Sequence, residues 1–373
     1  MKKTAIIFGI LFFPIISSAA PSISNVSGTL NNGNPITIIG NGFGTKSPAT
    51  PLVWADFEGL SVDAEAAVTS KYSTSTIALG GANVLVATNA DMPHLRSTRS
   101  VRAVAAANSP NINVDVSESG KVFVYLKRKF AHPDWFKTLT NYKFFRLWSS
   151  PENSPIDIVV GYTNFSSPFT YPYNNAHSNG TAEYGNPTNM YTTMSHPPAN
   201  QWNTEEYQAS KSTIDLQDGT FRFWYNGKKH INNTTLMNRS TKHPGSWSNL
   251  YIENYNHHSS NGVNDVPPSG AYVYYDDVYI DTTWSRVMIG NASTFDSCTH
   301  REPLIPTAWS STSITAYFNQ GSFQNGQSVY IFVVDSNGNA STGKAITIGG
   351  TENFKEGSVI PPSPPNKLII SRP

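Results

Sequence analysis

Three short segments place aromatic, basic and acidic side chains on common faces. Read as extended chain, Tyr142–Trp148 sends Phe144, Arg146 and Trp148 to one side, Phe221–Tyr225 aligns Arg222 with Trp224, and Tyr272–Asp276 aligns Tyr272, Tyr274 and Asp276. Aromatic rings stack on the apolar face of a pyranose, and a guanidinium pairs bidentately with a uronic carboxylate. That is glycan-binding chemistry, and Arg146, Trp148, Arg222, Trp224 and Tyr274 are the residues expected to supply it. A plainer reading stands beside it: Phe144, Trp148 and Trp224 as sandwich core, with arginine at its margin. Elimination from a uronate needs a group that neutralises the carboxylate and a Tyr or His that moves the neighbouring proton. Arg146, Arg222, Tyr125 and Tyr274 are such ingredients, but no segment arranges them as a catalytic motif. A retaining glycosidase needs two closely spaced carboxylates on one side, whereas Glu205 and Glu206 point to opposite faces of an extended chain.

Other chemistries leave less trace. There is no Cys pair, no H-E-x-x-H, no P-loop and no G-x-S-x-G, and Cys298 is the sole cysteine of the chain. A lone thiol in an exported protein reads first as a small buried apolar residue and second as a partner in an intermolecular bridge. His257-His258 reads as a solvated loop pair rather than a ligand set. Asp276, Asp277 and Asp281 leave two readings: part of a Ca²⁺ site, or caps and hydrogen-bond acceptors of the strand they share. Three carboxylates fall short of a six- to eight-oxygen calcium shell. No cofactor is required by this reading.

The elements that must position these residues are strands. The chain has 373 residues, of which 14% are charged and 12% aromatic, and its formal net charge is +1. Balanced charge without basic blocks excludes the electrostatic footprint of a nucleic-acid binder, and abundant aromatics exclude a disordered chain. Period-two runs recur at Lys121–Lys129, Tyr142–Trp148, Ile156–Tyr162, Thr220–Tyr225, Ser248–Asn254 and Ala271–Asp281, with turn residues such as Asp218-Gly219 and Asn226-Gly227 between them. The fold class is therefore all-β. Lys2-Lys3, the apolar run Ala5–Ile16 and Ser17-Ser18-Ala19-Ala20 follow the order of a secretory signal peptide, with cleavage expected after Ala19 because Pro21 hinders cleavage one residue later. No later run reaches the ~20 residues of a membrane span. A periplasmic or extracellular location follows.

Family resemblance sharpens the organisation. Pro21-Ser-Ile-Ser-Asn-Val-Ser-Gly28 followed by Ile36-Thr-Ile-Ile-Gly40 and Gly42-Phe43-Gly44 resembles the opening of an IPT/TIG immunoglobulin-like domain. Its later strands are similar to Arg286–Asn291, Trp309–Tyr317, Ser328–Ser341 and Ala345–Gly349. The segments Asp218–Lys228 and Tyr274–Asp281 resemble the concanavalin-A-like jelly roll of lectins, laminin-G-like domains and several polysaccharide lyases. Together these imply a signal peptide over 1–19, an immunoglobulin-like sandwich split between 20–50 and 286–350, a concanavalin-A-like antiparallel jelly roll inserted as 51–285, and a Pro-rich tail over 351–373. Insertion at an exposed loop is tolerated because domain termini lie close together. Two separate β modules are the alternative organisation. The expected function is binding of extracellular polysaccharide in a jelly-roll groove, with uronate lyase activity as its catalytic form. A structural or adhesive surface protein that self-assembles or docks on a partner is the competing class.

Overall fold

Alternation along Lys121–Phe130 shows why this chain folds into layered sheets. Val122, Val124, Leu126 and Phe130 enter one apolar cluster, while Phe123 and Tyr125 enter another on the opposite face of the same strand. A strand buried on both faces needs a layer on each side. The computed structural model describes residues 19–61, 68–69, 76–80, 84–87, 97–104, 111–133, 141–150, 156–163, 169–173, 192–193, 197–241, 244–256 and 270–352. The expected signal peptide up to residue 18, His257-His258 and the tail beyond residue 352 lie outside them.

The described chain is all-β and antiparallel, apart from one turn of 3-10 helix at Phe295–Ser297. The large sandwich is a jelly roll of two sheets. Its front sheet runs, edge to edge, Lys228–Leu236, Gly219–Tyr225, Trp202–Ser210, Lys121–Phe130, Tyr272–Asp281, Ser100–Val104 and Val84–Ala87, with Val53–Ala55 paired to the far end of Tyr272–Asp281. Its back sheet runs Thr192–Thr193, Phe169–Tyr173, Ile156–Thr163, Asn141–Ser150, Ser246–Asn256, Asn111–Ser119, Thr76–Gly80 and Val68–Thr69. Between them Phe145 stacks on Tyr207 at 4.1 Å between ring centres, and Tyr207 on Phe223 at 5.0 Å.

The remaining strands run in the order Lys344–Thr347, Ser328–Val334, Arg286–Gly290, Arg301–Trp309, Ser313–Tyr317, Pro35–Asn41, Ser22–Thr29 and Thr351–Glu352. They enclose a separate apolar cluster that joins Val26, Ile36 and Ile38 to Val287, Leu304, Ile314 and Val333. Arg301–Trp309 contains Pro303 and Pro306, which argue against a central strand in the sequence. The strand exists because it changes partners midway: Arg301–Leu304 pairs with Arg286–Gly290 and Ile305–Trp309 with Ser313–Tyr317, so its two prolines fall near the changeover.

This small sandwich lies on the outer face of the front sheet, and a third apolar layer fills the seam. That layer takes Trp54, Phe123, Tyr125 and Tyr279 from one side and Met288, Phe295, Ile305, Phe332 and Val334 from the other. Two neighbouring charges cross it. Arg301 donates from Nε to Glu206 Oε1 at 2.8 Å and from Nη1 to the Phe295 carbonyl at 3.0 Å. Glu302, fully buried, accepts from Lys127 Nζ at 2.9 Å, Tyr125 Oη at 2.7 Å, His300 Nε2 at 2.9 Å and the Ser322 amide at 2.9 Å. Burial works against the Glu302 charge, but Lys127 and His300 hold its carboxyl well below the usual range. Removing one partner of such a pair strands a buried charge, a loss of about 3–5 kcal/mol. We therefore expect Arg301→Met to lower folding stability by roughly that amount in urea denaturation, and the double variant Arg301→Met/Glu206→Gln to recover most of it.

Candidate functional site

Cross-strand register organises the outer face of the front sheet into transverse rows. In the first row Arg102 stands opposite Tyr274, Tyr274 opposite Lys129, and Lys129 opposite Trp202. Four adjacent strands at ~4.8 Å spacing make this row about 14 Å long. In a further row Tyr279, Tyr125, Glu206, Trp224 and Lys229 follow one another; in the next, Asp281, Phe123, Gln208, Arg222 and Asn232. The small sandwich covers the inner part of these rows, with Arg301 on Glu206 and Glu302 on Tyr125, while Lys229 and Asn232 at their ends stay exposed. The first row is left half-exposed at Arg102, Tyr274 and Trp202, while Lys129 is buried to its tip.

Within the first row the rings and cations touch. Trp202 meets Tyr274 edge-on at 6.4 Å between centres, Lys129 Nζ lies 5.6 Å from the centre of the Tyr274 ring, and Arg102 lies 5.3 Å from that of Tyr272. Burial pushes the Tyr274 phenol up, and the nearby Arg102 only partly offsets it. Tyr274 therefore stands protonated at neutral pH, as a hydrogen-bond donor between two cations.

The five sequence-predicted residues do not form one groove. Tyr274 lies in the first row. Arg222 and Trp224 share its face but lie under the margin of the small sandwich. Arg146 and Trp148 belong to the back sheet, where Arg146 lies 5.3 Å from the Trp148 ring centre and Trp148 5.9 Å from that of Tyr251. Phe145 and Leu147 beside them enter the core, so Arg146 and Trp148 face away from the front sheet altogether. Phe144 leaves their face as well: a register shift between Lys143 and Phe145 breaks the alternation and buries Phe144 in the core. Arg102, Lys129 and Trp202 were missed. Lys129 was already readable, two places beyond Lys127 on a strand of period two, whereas Trp202 begins a strand with no sequence signature strong enough to mark it.

The acidic residues are engaged within the protein. Asp277 sits at φ 50° in a bulge of Tyr272–Asp281 and pairs with Lys127 Nζ at 2.8 Å. Asp276 accepts from the Ser97 hydroxyl at 2.6 Å and from the Asp277 amide at 2.8 Å; burial, then the neighbouring Asp277 charge, lifts it well above the carboxylate range. The bulge shifts the alternation along the strand: Val273 and Tyr275 before it and Val278 and Ile280 after it all enter the sandwich core, so Tyr279 and Asp281 come to the face that carries Tyr272 and Tyr274. Among the described residues no group of three His, Cys, Asp or Glu gathers for a metal ion. Glu205 and Glu206 do take opposite faces, Glu205 meeting Arg128 at 3.2 Å inside the sandwich and Glu206 meeting Arg301 in the seam. Cys298 is buried and its Sγ lies 3.3 Å from the Thr294 carbonyl; burial pushes its thiol up, so it is not a thiolate nucleophile.

No family model matches the sequence, and no curated protein matches it. Solved structures with a similar arrangement of strands include the alginate lyase Aly36B (14% identity, 62% of this chain and 98% of that chain, TM-score 0.46). Others are the endo-β-1,4-glucuronan lyase of the fungus Trichoderma reesei (13%, 63% and 97%, 0.37) and a marine alginate lyase of Aplysia kurodai (11%, 52% and 86%, 0.37). No helix among the described residues is long and apolar enough to cross a membrane.

Asp281 supplies a pH signature. It pairs with Lys46 Nζ at 2.9 Å, which also donates to the carbonyls of Ala49 and Thr50 and so pins the loop crossing from the small to the large sandwich. Burial raises the Asp281 carboxyl to about 6 despite Lys46, and burial lowers Lys46 despite Asp281. An unfolded Asp titrates near 4, so the folded chain binds this proton more tightly and stability falls as pH rises from about 4 to about 6. Asp281→Asn lacks that term. Its melting temperature should gain on the wild type across this window and run parallel to it above the folded value, as scanning calorimetry at stepped pH would record.

Proposed function

We propose that this protein is exported and binds a uronic-acid polysaccharide along the first row of the jelly-roll face. The row Arg102–Tyr274–Lys129–Trp202 carries the reading: two half-exposed aromatic rings to stack on sugar, Arg102 to meet a carboxylate, the buried Lys129 charge behind the Tyr274 ring, and a protonated phenol between the cations. The small sandwich, in this reading an immunoglobulin-like scaffold of the IPT/TIG type split by the jelly roll, holds the sheet from the other end. Expected export rests on the amino-terminal pattern of charged, apolar and small residues.

The same row is equipped for β-elimination. With the uronate carboxylate held by Arg102 and favoured by the Lys129 charge beneath, loss of the proton beside it forms a carbon–carbon double bond and expels the glycosidic oxygen, which takes a proton from the Tyr274 phenol. The proton removed would be taken by the phenolate form of Tyr272, whose ring centre lies 6.2 Å from that of Tyr274, and passed from the resulting phenol to solvent, while Tyr274 regains its proton from water. A glycosidase reading lacks support, since Glu205 and Glu206 are each spent in a buried ion pair on opposite faces.

The test is a panel of uronic-acid polymers, following retention of the protein and absorbance of unsaturated product together. Trp202→Ala and Lys129→Ala should weaken retention by about tenfold or more, which corresponds to ~1.4 kcal/mol, whereas Arg146→Ala on the back sheet should leave it unchanged. Tyr274→Phe should abolish new absorbance while retaining the polymer. Retention without absorbance in the wild type would make this a binding module, and absence of both would favour the structural or adhesive class.

A further inference from the structure

At the Arg222 end of the seam the two sandwiches part around a cleft of about 550 Å³. Gln208, Arg222 and Trp224 line it from the front sheet; Arg286, Phe295 and the loop 337–342 line it from the small sandwich. Row one contributes nothing to it. The cleft is therefore a different place from the open face, and it exists only because the two sandwiches are joined.

Its charge is unbalanced. Arg222, Lys229 and Arg286 line it against one carboxylate, Asp296, which is largely exposed and already meets Lys229 at 3.1 Å. Arg286 is 1% exposed, lies 3.9 Å from the Phe123 ring centre and donates to the Trp284 carbonyl at 2.8 Å. No carboxylate among the described residues makes a close ion pair with it; burial pulls it down to about 10, and the charge of Glu206, which Arg301 also meets, only partly offsets this. Its hydrogen bonding is unbalanced in the same sense. Trp224 Nε1, Gln208 Nε2 and Arg286 Nε are buried without a partner among the described residues, and all three are donors. A buried donor left unmade is costly, so three around one cleft ask for an acceptor-rich ligand.

The walls are fixed in place. Asp335 accepts from the amides of Asn337 and Asn339, which forms the tight turn that carries Gly338 at φ 84°. A Cβ on Gly338 would lie 2.7 Å from Gln208 Nε2 and 3.3 Å from Arg222 Nη1, so the loop backbone is packed against the very side chains that line the opposite wall.

We propose that this cleft is a second binding site, for a carboxylate-bearing sugar of one or two rings, with its carboxylate towards Arg222 and Arg286 and its hydroxyl and ring oxygens accepting from Trp224 Nε1 and Gln208 Nε2. A volume in the range of small-molecule pockets suits a ring rather than a bare anion, and the amides of Asn232, Asn337 and Asn339 add partners for hydroxyls. Because both sandwiches line the site, a bound ligand would clamp the seam and raise the melting temperature by mass action.

The experiment is thermal melting of the purified protein, with tryptophan fluorescence titration in parallel, against glucuronic acid, galacturonic acid, glucose and inorganic sulfate. The proposal expects a saturable rise with at least one uronic acid and none with glucose at equal concentration. Trp224→Phe, which keeps an aromatic wall but removes the N–H donor with part of the ring, and Arg222→Gln should each raise the half-saturating concentration about tenfold. Tyr274→Phe and Lys129→Ala should leave it unchanged, even though the first abolishes new absorbance and the second weakens polymer retention, so failure here and failure of the open face are read separately. A uronic trisaccharide run beside the monomer tells a polymer end from a free sugar acid, since tighter binding of the trisaccharide marks the former. An equal response to glucose, a response to sulfate matching that to the uronic acids, or saturation unmoved in both cleft variants would overturn the proposal.

Discussion

Arg301 and Glu302 carry two adjacent charges into the dry layer between the sandwiches, and most of the architecture follows from satisfying them. The two residues are adjacent on one strand, yet both side chains reach the front sheet, Arg301 at Glu206 and Glu302 at Lys127 and Tyr125. Glu206 answers the cation, while Lys127, Tyr125 and His300 answer the anion. Buried charges of this kind contribute little net stability against an apolar layer of equal volume, but leaving one unpaired is severe, and so they fix which face of the small sandwich meets the jelly roll.

That fixed contact decides what the front sheet can do. The outer face is polar and aromatic along its whole length, from Arg102 and Tyr274 at one end to Arg222 and Asn232 at the other. Covering its middle leaves an open row at one end and a cleft between the two sandwiches at the other. The bulge at Asp277 is the local device that makes the cover fit. It turns Tyr279 and Asp281 into the seam and gives Lys127 a second carboxylate, so that this one ammonium serves Asp277 and Glu302 together.

Ionisation follows the same logic of burial against pairing. Where a carboxylate meets several cations and donors, as Glu302 does, pairing wins and the group stays charged. Where it meets one lysine in a dry corner, as Asp281 meets Lys46, burial wins and both partners move towards neutrality. The two sandwiches are thus linked by one contact that is indifferent to mild acid and another that titrates within it.

The sequence by itself determined the strands and the chemistry that rides on them. Period-two runs such as Lys121–Phe130 and Tyr272–Asp281 are strands because one face of each must be apolar to be buried, and that signal is local. The pairing of Arg222 with Trp224 and of Tyr272 with Tyr274 was legible for the same reason. What only the tertiary structure decided is which of these faces meet. Arg146 and Trp148 read like their counterparts, yet they lie on the other side of a core, because the pattern of a strand states that one face is buried and not which sheet it joins. Trp202 and Arg102 entered the open row through register with strands far away in the chain, and the shifts at Lys143 and Asp277 reversed faces through single extra residues. Each of these depends on long-range pairing, which no local periodicity encodes.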